Sequence, residues 1–178
     1  EHPRPDTTLE MLAKLKGVNG PDLSVTAGNA SGVNDGACAL LLASTAAAAR
    51  FGLTPKARVL GMATAGLAPR IMGFGPAPAV RKVLQQTGLT LAQMDVIELN
   101  EAFAAQGLAV MRDLGLADDD SRVNPNGGAI AMGHPLGATG AMILGTLIDE
   151  LHRRKLRYGM ATLCVGGGMG IATIVERV

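Results

Sequence analysis

An alternation constrains this fold most: short apolar runs of strand length recur along the chain, interleaved with Ala-rich stretches of helical spacing. The runs are Leu23 to Val25, Arg58 to Met62, Val96 to Leu99, Tyr158 to Cys164 and Met169 to Glu176. Helical patterns fall near Asn34 to Phe51, Ala77 to Thr87, Ala102 to Leu114 and Gly137 to Arg154. Such an alternation predicts an α/β layered fold with a largely parallel sheet, because parallel neighbours need a long crossover, usually a helix. The last two runs are joined only by Val165-Gly166-Gly167-Gly168, a linker that tolerates positive φ. They are expected to pair antiparallel.

The layers must pack closely, because aromatics are 2% of the chain, Trp is absent and Gly numbers 24. Residues 23–178 contain no linker-like segment and are expected to form one domain. Residues 1–22 are polar and Pro-containing, with a short helical signal from Thr8 to Leu15. They read as the end of a preceding region. The chain opens at Glu1 without Met and shows no n-region or h-region, so residues upstream of it are expected.

Charge and cysteine usage exclude several functions. Sixteen basic and fifteen acidic residues give a net charge of +1 without a dominant block, so no nucleic-acid footprint is present. The longest apolar stretch, Gly36 to Ala49, is shorter than the roughly 20 residues a membrane helix needs and contains Ser44 and Thr45. It reads as a buried helix, with Cys38 as core. Cys38 and Cys164 make no disulfide framework and lack CxxC or Cys/His ligand spacing. A reducing, cytoplasmic compartment and no structural metal are the expectation.

Four segments combine polar groups with unusual backbone freedom. In Asn124-Pro-Asn-Gly-Gly-Ala-Ile-Ala-Met-Gly-His-Pro-Leu-Gly-Ala-Thr-Gly140, His134 sits among small residues just before a long helix. An imidazole presented there can act as a base or bind a substrate oxygen; the plain alternative is a loop histidine at a helix start. Cys164 ends a strand ahead of Gly166, Gly167, Gly168 and Gly170, which places a thiol beside accessible N–H groups, an arrangement like an oxyanion hole. A buried, inert cysteine is the alternative. Asn100-Glu101 follows the run Val96-Ile-Glu-Leu, where Asn100 either caps a helix or holds a water or carbonyl in the same cleft. The loop Thr26-Ala-Gly-Asn-Ala-Ser-Gly-Val-Asn-Asp-Gly36 leaves Ser31 free for a ligand if Asn34 or Asp35 caps the helix that follows.

Taken in order, Asn100-Glu-Ala-Phe-Ala, Gly133-His-Pro and Cys164-Val-Gly-Gly-Gly-Met-Gly resemble the thiolase family. Thr26-Ala-Gly-Asn-Ala-Ser-Gly and Met72-Gly-Phe-Gly-Pro-Ala-Pro resemble further segments of it, so the likeness spans nearly the whole chain. Glu1 to Glu10 and Ala68 to Pro78 look most like the bacterial 3-oxoadipyl-CoA thiolases of aromatic catabolism.

The resemblance implies two similar βαβαβαββ halves with an inserted loop region, assembled as homodimers or homotetramers. This chain would be the C-terminal half, a mixed five-stranded sheet with helices on both faces (23–178), preceded by the end of the loop region (1–22). It implies acyl transfer: thiolytic cleavage of a 3-oxoacyl-CoA to acetyl-CoA, or the reverse condensation. CoA and acyl-CoA are substrates, with no metal or further cofactor. The implied catalytic residues are His134, Asn100, Cys164 and the backbone at Gly166. The implied CoA contacts are Ala27, Ser31, Met72, Phe103 and Arg4. The family's nucleophilic cysteine belongs to an N-terminal half with no counterpart here, and Cys38 does not replace it. The alternative is an inactive half-thiolase serving as a CoA-binding or subunit-interaction module.

Overall fold

The computed structural model describes residues 2–178; Glu1, the first residue of the expected 1–22 connection, lies outside them. The chain forms a mixed α/β layer structure around a four-stranded sheet. Its strands are β1 (Ala57–Gly66), β2 (Val96–Leu99), β3 (Tyr158–Val165) and β4 (Met169–Arg177), in spatial order β1-β4-β3-β2. Only β2 and β3 are parallel; β4 runs antiparallel to both β3 and β1. The largely parallel sheet expected from the alternation is therefore corrected to one parallel pair. The closing hairpin inserts β4 between β3 and β1, and both of its pairings reverse direction.

Helices cover both faces. On one side lie α3 (Pro76–Thr87) and α4 (Ala104–Asp113); on the other lies α6 (Thr139–Arg153), preceded by the single turn α5 (Ala129–Met132). Helix α3 opens on Pro76, whose missing N–H costs nothing at a first turn, and ends at Gly88 with φ 69°, the left-handed stop that glycine favours. It buries Ala77, Ala79, Val80 and Val83 against Ile97, Met160 and Ile174. Helix α6 buries Leu147 and Leu151 against Val96, Ala161 and Val175 on the opposite face. Each such leucine contributes about 2 kcal/mol of apolar burial. Strand β2 is buried along its whole length, so its alternate residues feed both layers: Ile97 and Leu99 face α3, whereas Val96 faces α6.

Three expectations change upstream of the sheet. The run Leu23 to Val25 does not become a fifth strand. It lies after Gly20-Pro21-Asp22, Leu23 is exposed, and its pairing is limited to a single bridge between Gly17 and Thr26. The helix expected over Asn34 to Phe51 shrinks to α2 (Thr45–Arg50), capped by the Ser44 side chain. Residues 36–44 are neither helical nor paired and stand exposed, with Leu41 82% and Leu42 76% accessible, because no layer of the described chain covers them. Cys38 is accordingly exposed rather than core. A short α1 (Leu9–Ala13) forms within the Thr8 to Leu15 signal, capped by Thr8.

Candidate active site

The site grows from the carboxyl ends of the two parallel strands. Asn100 follows β2 directly and gives its backbone N–H to the Thr162 carbonyl of β3 at 3.0 Å. Helix α4 starts only at Ala104, so Asn100 is not its N-cap and its side chain is free for other work. Glu101 likewise does not sit in the first turn of the helix. Its carboxylate accepts Asn124 Nδ2 at 3.0 Å and the Ile130 N–H at 3.2 Å. Asn124, held at φ 47°, also accepts the Leu99 N–H and donates to the Leu99 carbonyl, both at 2.8 Å. The histidine loop is thus folded around one carboxylate. A Cβ at Gly128 would lie 2.1 Å from the Glu101 carboxyl carbon, so a larger residue there would push this carboxylate out of its place.

This loop delivers His134. Its N–H donates to Asn34 Oδ1 at 2.9 Å, and Val33 bridges to His134, which ties the upstream loop to it. Thr139 donates its single hydroxyl hydrogen to the Pro135 carbonyl 3.0 Å away, so its oxygen accepts a hydrogen bond from His134 Nδ1–H at 2.7 Å. The tautomer follows from this network: Nδ1 carries the hydrogen and Nε2 keeps a lone pair. That lone pair faces Asn100 Nδ2 at 3.4 Å. Burial lowers the imidazole pKa from its ordinary value, which keeps the ring neutral and basic at Nε2 near pH 7.

Cys164 lies on β3 two residues beyond Thr162, the partner of Asn100, so thiol and amide sit near the same sheet end. Burial pushes the thiol pKa up, partly offset by a backbone hydrogen bond, so the group is a protonated thiol at neutral pH. The glycines after it divide in role. A Cβ on Gly170 would lie 2.0 Å from the Gly75 carbonyl oxygen, and one on Gly168 (φ 90°) would lie 2.3 Å from that of Leu67. These two are steric requirements. At Gly166 an added Cβ would meet nothing within 4 Å, so glycine is not a steric requirement there.

The other residues expected from the sequence are placed as follows. Ser31 is not free: its hydroxyl donates to the Ala102 carbonyl at 3.3 Å, and its N–H donates to the same oxygen at 3.1 Å. Phe103 bridges to Ala30, so the 26–34 loop, the Asn100 segment and the His134 loop converge. Ala27 is exposed in that loop. Met72 lies in a 3₁₀ segment, Pro69–Phe74, which leads into the Gly75–Gly170 contact. Arg4 is exposed, near a chain end that His2 Nε2 ties to Asn34 Nδ2 at 2.9 Å. Among the described residues, no group of three His, Cys, Asp or Glu is arranged to hold a metal ion, and no helix is long and apolar enough to cross a membrane.

Sequence reasoning missed Thr139 and Glu98, and it offered Asn34 or Asp35 only as a helix cap, whereas α2 is capped by Ser44 and Asn34 accepts the His134 N–H. The roles of Thr139 and Asn34 carry no local signal, since they exist only through contacts with His134. Glu98 did carry one: a carboxylate inside the otherwise apolar run Val-Ile-Glu-Leu, now only 3% exposed.

A sheet-end histidine, amide and thiol on this α/β frame define the class, and the chain belongs to the thiolase family. The thiolase C-terminal domain model matches residues 53–177 and the thiolase N-terminal domain model matches residues 1–46. The chain is 66% identical to a beta-ketoadipyl-CoA thiolase of Pseudomonas knackmussii and 61% identical to a 3-oxoadipyl-CoA/3-oxo-5,6-dehydrosuberyl-CoA thiolase of Escherichia coli. All of this chain aligns in both cases, over 44% of each relative's length. It therefore spans less than half of those proteins. Among solved structures, a Bacillus anthracis acetyl-CoA acetyltransferase superposes with TM-score 0.94 at 53% identity. Human mitochondrial 3-ketoacyl-CoA thiolase in complex with CoA gives 0.90 at 47%. This chain aligns in full with 45% of each.

Proposed function

We propose that the chain supplies the acid–base and oxyanion-binding part of a thiolase that cleaves a 3-oxoacyl-CoA, 3-oxoadipyl-CoA above all, with the nucleophilic cysteine in an N-terminal half. The observation that carries this is the His134 Nε2 lone pair, fixed by Thr139 on one side and facing Asn100 on the other. A neutral imidazole so held takes the proton of an incoming thiol. The resulting thiolate attacks the 3-oxo carbon, the C2–C3 bond breaks, and the enolate of acetyl-CoA departs. The Cys164 thiol, protonated because it is buried, gives its proton to C2 of that enolate. Cys164 then recovers a proton from CoA, whose thiolate takes the acyl group from the nucleophilic cysteine, and His134 returns its proton to the released sulfur. His134 Nε2 and a water on Asn100 stabilise one oxyanion, and the backbone at Gly166 helps to stabilise the other. Losing one such donor typically costs about 10²–10³ in rate.

Ala27, Ser31, Met72 and Phe103 are proposed to line the CoA path, with Ser31 acting through its place in the converged loop, and Arg4 to approach the nucleotide end. Residues 1–22 are proposed as the end of the loop region and 23–178 as the C-terminal domain. The exposed apolar run 36–44 supports an N-terminal half as its cover. Homodimers or homotetramers and a cytoplasmic setting complete the proposal, the latter because both cysteines are free thiols. In the complete protein, His134→Ala and Cys164→Ala each nearly abolish thiolysis while preserving the fold; wild-type turnover in either refutes the assignment. Better turnover of acetoacetyl-CoA than of 3-oxoadipyl-CoA removes the substrate label. A native mass matching these 178 residues alone, with no companion chain, refutes the enzyme reading in favour of a binding module.

A further inference from the structure

Behind the His134–Asn100 pair lies a cavity of about 90 Å³, lined by Glu98, Asn100, Gly128, Thr139, Met142 and Thr146 among others. Two acceptor atoms are buried and find no protein partner there: Glu98 Oε1 and Asn100 Oδ1. Their side chains are 3% and 1% exposed. The two residues stand two apart along one extended segment, so both side chains leave the same face of the sheet, the face that α6 covers. Two unpartnered buried acceptors on an otherwise mostly apolar wall, with room for several water-sized probes, are what holds a water cluster in place.

We infer that Glu98 is a positioning residue for Asn100: its carboxyl and Asn100 Oδ1 hold one water cluster in this cavity, which keeps Asn100 Nδ2 turned toward His134. The orientation of a buried amide is set by what its two ends meet. With Oδ1 satisfied by water in the cavity, Nδ2 is left to donate toward the Nε2 lone pair at 3.4 Å. A flipped amide would set its oxygen against that lone pair and its NH₂ group into the cavity. Burial, and then the negative charges of Glu101 and Glu150, push the Glu98 carboxyl up to about 8, so at neutral pH it can donate into the cluster. The other charges nearby are already engaged. Glu101 is bound to Asn124 and Ile130, and Glu150 to Asn126 and Arg153, with Arg154 beside it.

The inference rests on the proposed thiolase reading, and the test separates the two. Glu98→Gln and Glu98→Met are made in the complete protein, and kcat, KM and melting temperature are measured for thiolysis of 3-oxoadipyl-CoA. Gln keeps a donor and an acceptor in the cavity; Met fills similar space with neither. The expected result is that Gln stays within about threefold of wild-type kcat, while Met falls by about 10- to 100-fold with KM unchanged and melting temperature equal or higher. Rescue by Gln together with an undiminished Met melting temperature excludes a merely structural role. Wild-type kcat in the Met variant overturns the inference, as does a Gln variant that loses as much as Met. A wild-type protein without thiolysis overturns the functional reading itself.

Discussion

Glu98 also makes the stability of this protein depend on pH in a direction opposite to that of most carboxylates. Its carboxyl titrates near 8 when folded and near 4.5 in its ordinary state, with burial the leading cause and the charges of Glu101 and Glu150 adding to it. Between those values the folded chain holds a proton that the unfolded chain has released. Stability therefore falls as pH rises from about 4.5 to about 8 and then levels off. At ~1.4 kcal/mol per pH unit the loss is at most about 5 kcal/mol. Relaxation of the cavity water and its surroundings around the ionised carboxylate reduces that to roughly half. Glu98→Gln removes the titrating group while keeping its shape. Melting curves of the complete protein and of this variant at pH 5, 7 and 9 are the assay. The variant gains on wild type as pH rises, opening a gap of several °C by pH 9. A gap that stays constant across this range refutes the reasoning, because it means that the folded carboxyl ionises at its ordinary pH.

Three further outcomes follow from the geometry. Gly170→Ala costs about 3 kcal/mol or more, since its Cβ would lie 2.0 Å from a backbone oxygen, whereas Gly166→Ala leaves the melting temperature almost unchanged; denaturant midpoints of the two variants compare them directly. Glu101→Ala removes the acceptor for Asn124 and Ile130 and costs about 2–3 kcal/mol, with faster hydrogen exchange at the Ile130 amide as its local signature. The Glu150 carboxyl is held down at about 2, first by its hydrogen bond with Arg153, so its contribution is complete above pH 4.5 and is lost as pH falls toward 2. Arg153 is largely exposed, which limits the effect to about 1 kcal/mol. Glu150→Gln accordingly flattens the acid limb of an unfolding titration.

The elements that were legible in the sequence are those whose partners lie in the described residues. Helices α3, α4 and α6 and strands β3 and β4 carry one buried face or a fully buried run, and their predicted positions agree with the structure to within a few residues. The run 36–44 was misread because an apolar stretch without clear period looks alike as a buried helix or a buried strand. None of the described residues covers it. Asn100 was assigned a cap or a cleft role from local chemistry, and only the late start of α4 at Ala104 removes the cap. His134 stood out through its glycine and proline neighbours. Its tautomer did not, because that depends on Thr139 and on the Pro135 carbonyl brought together by the first turn of α6.

The bond from the His134 N–H to Asn34 Oδ1 spans 100 residues of chain. During synthesis Asn34 emerges first and waits for about 5–20 s at usual elongation rates before its partner is made. The sheet and α6 need only contacts among residues made later, so they can assemble without that clamp. The pairing of β1 with β4 closes loops at least as long, so chain-closure entropy does not order the two events; the clamp is simply not needed for the layers to form. A chain can therefore be fully layered while its histidine loop is still loose.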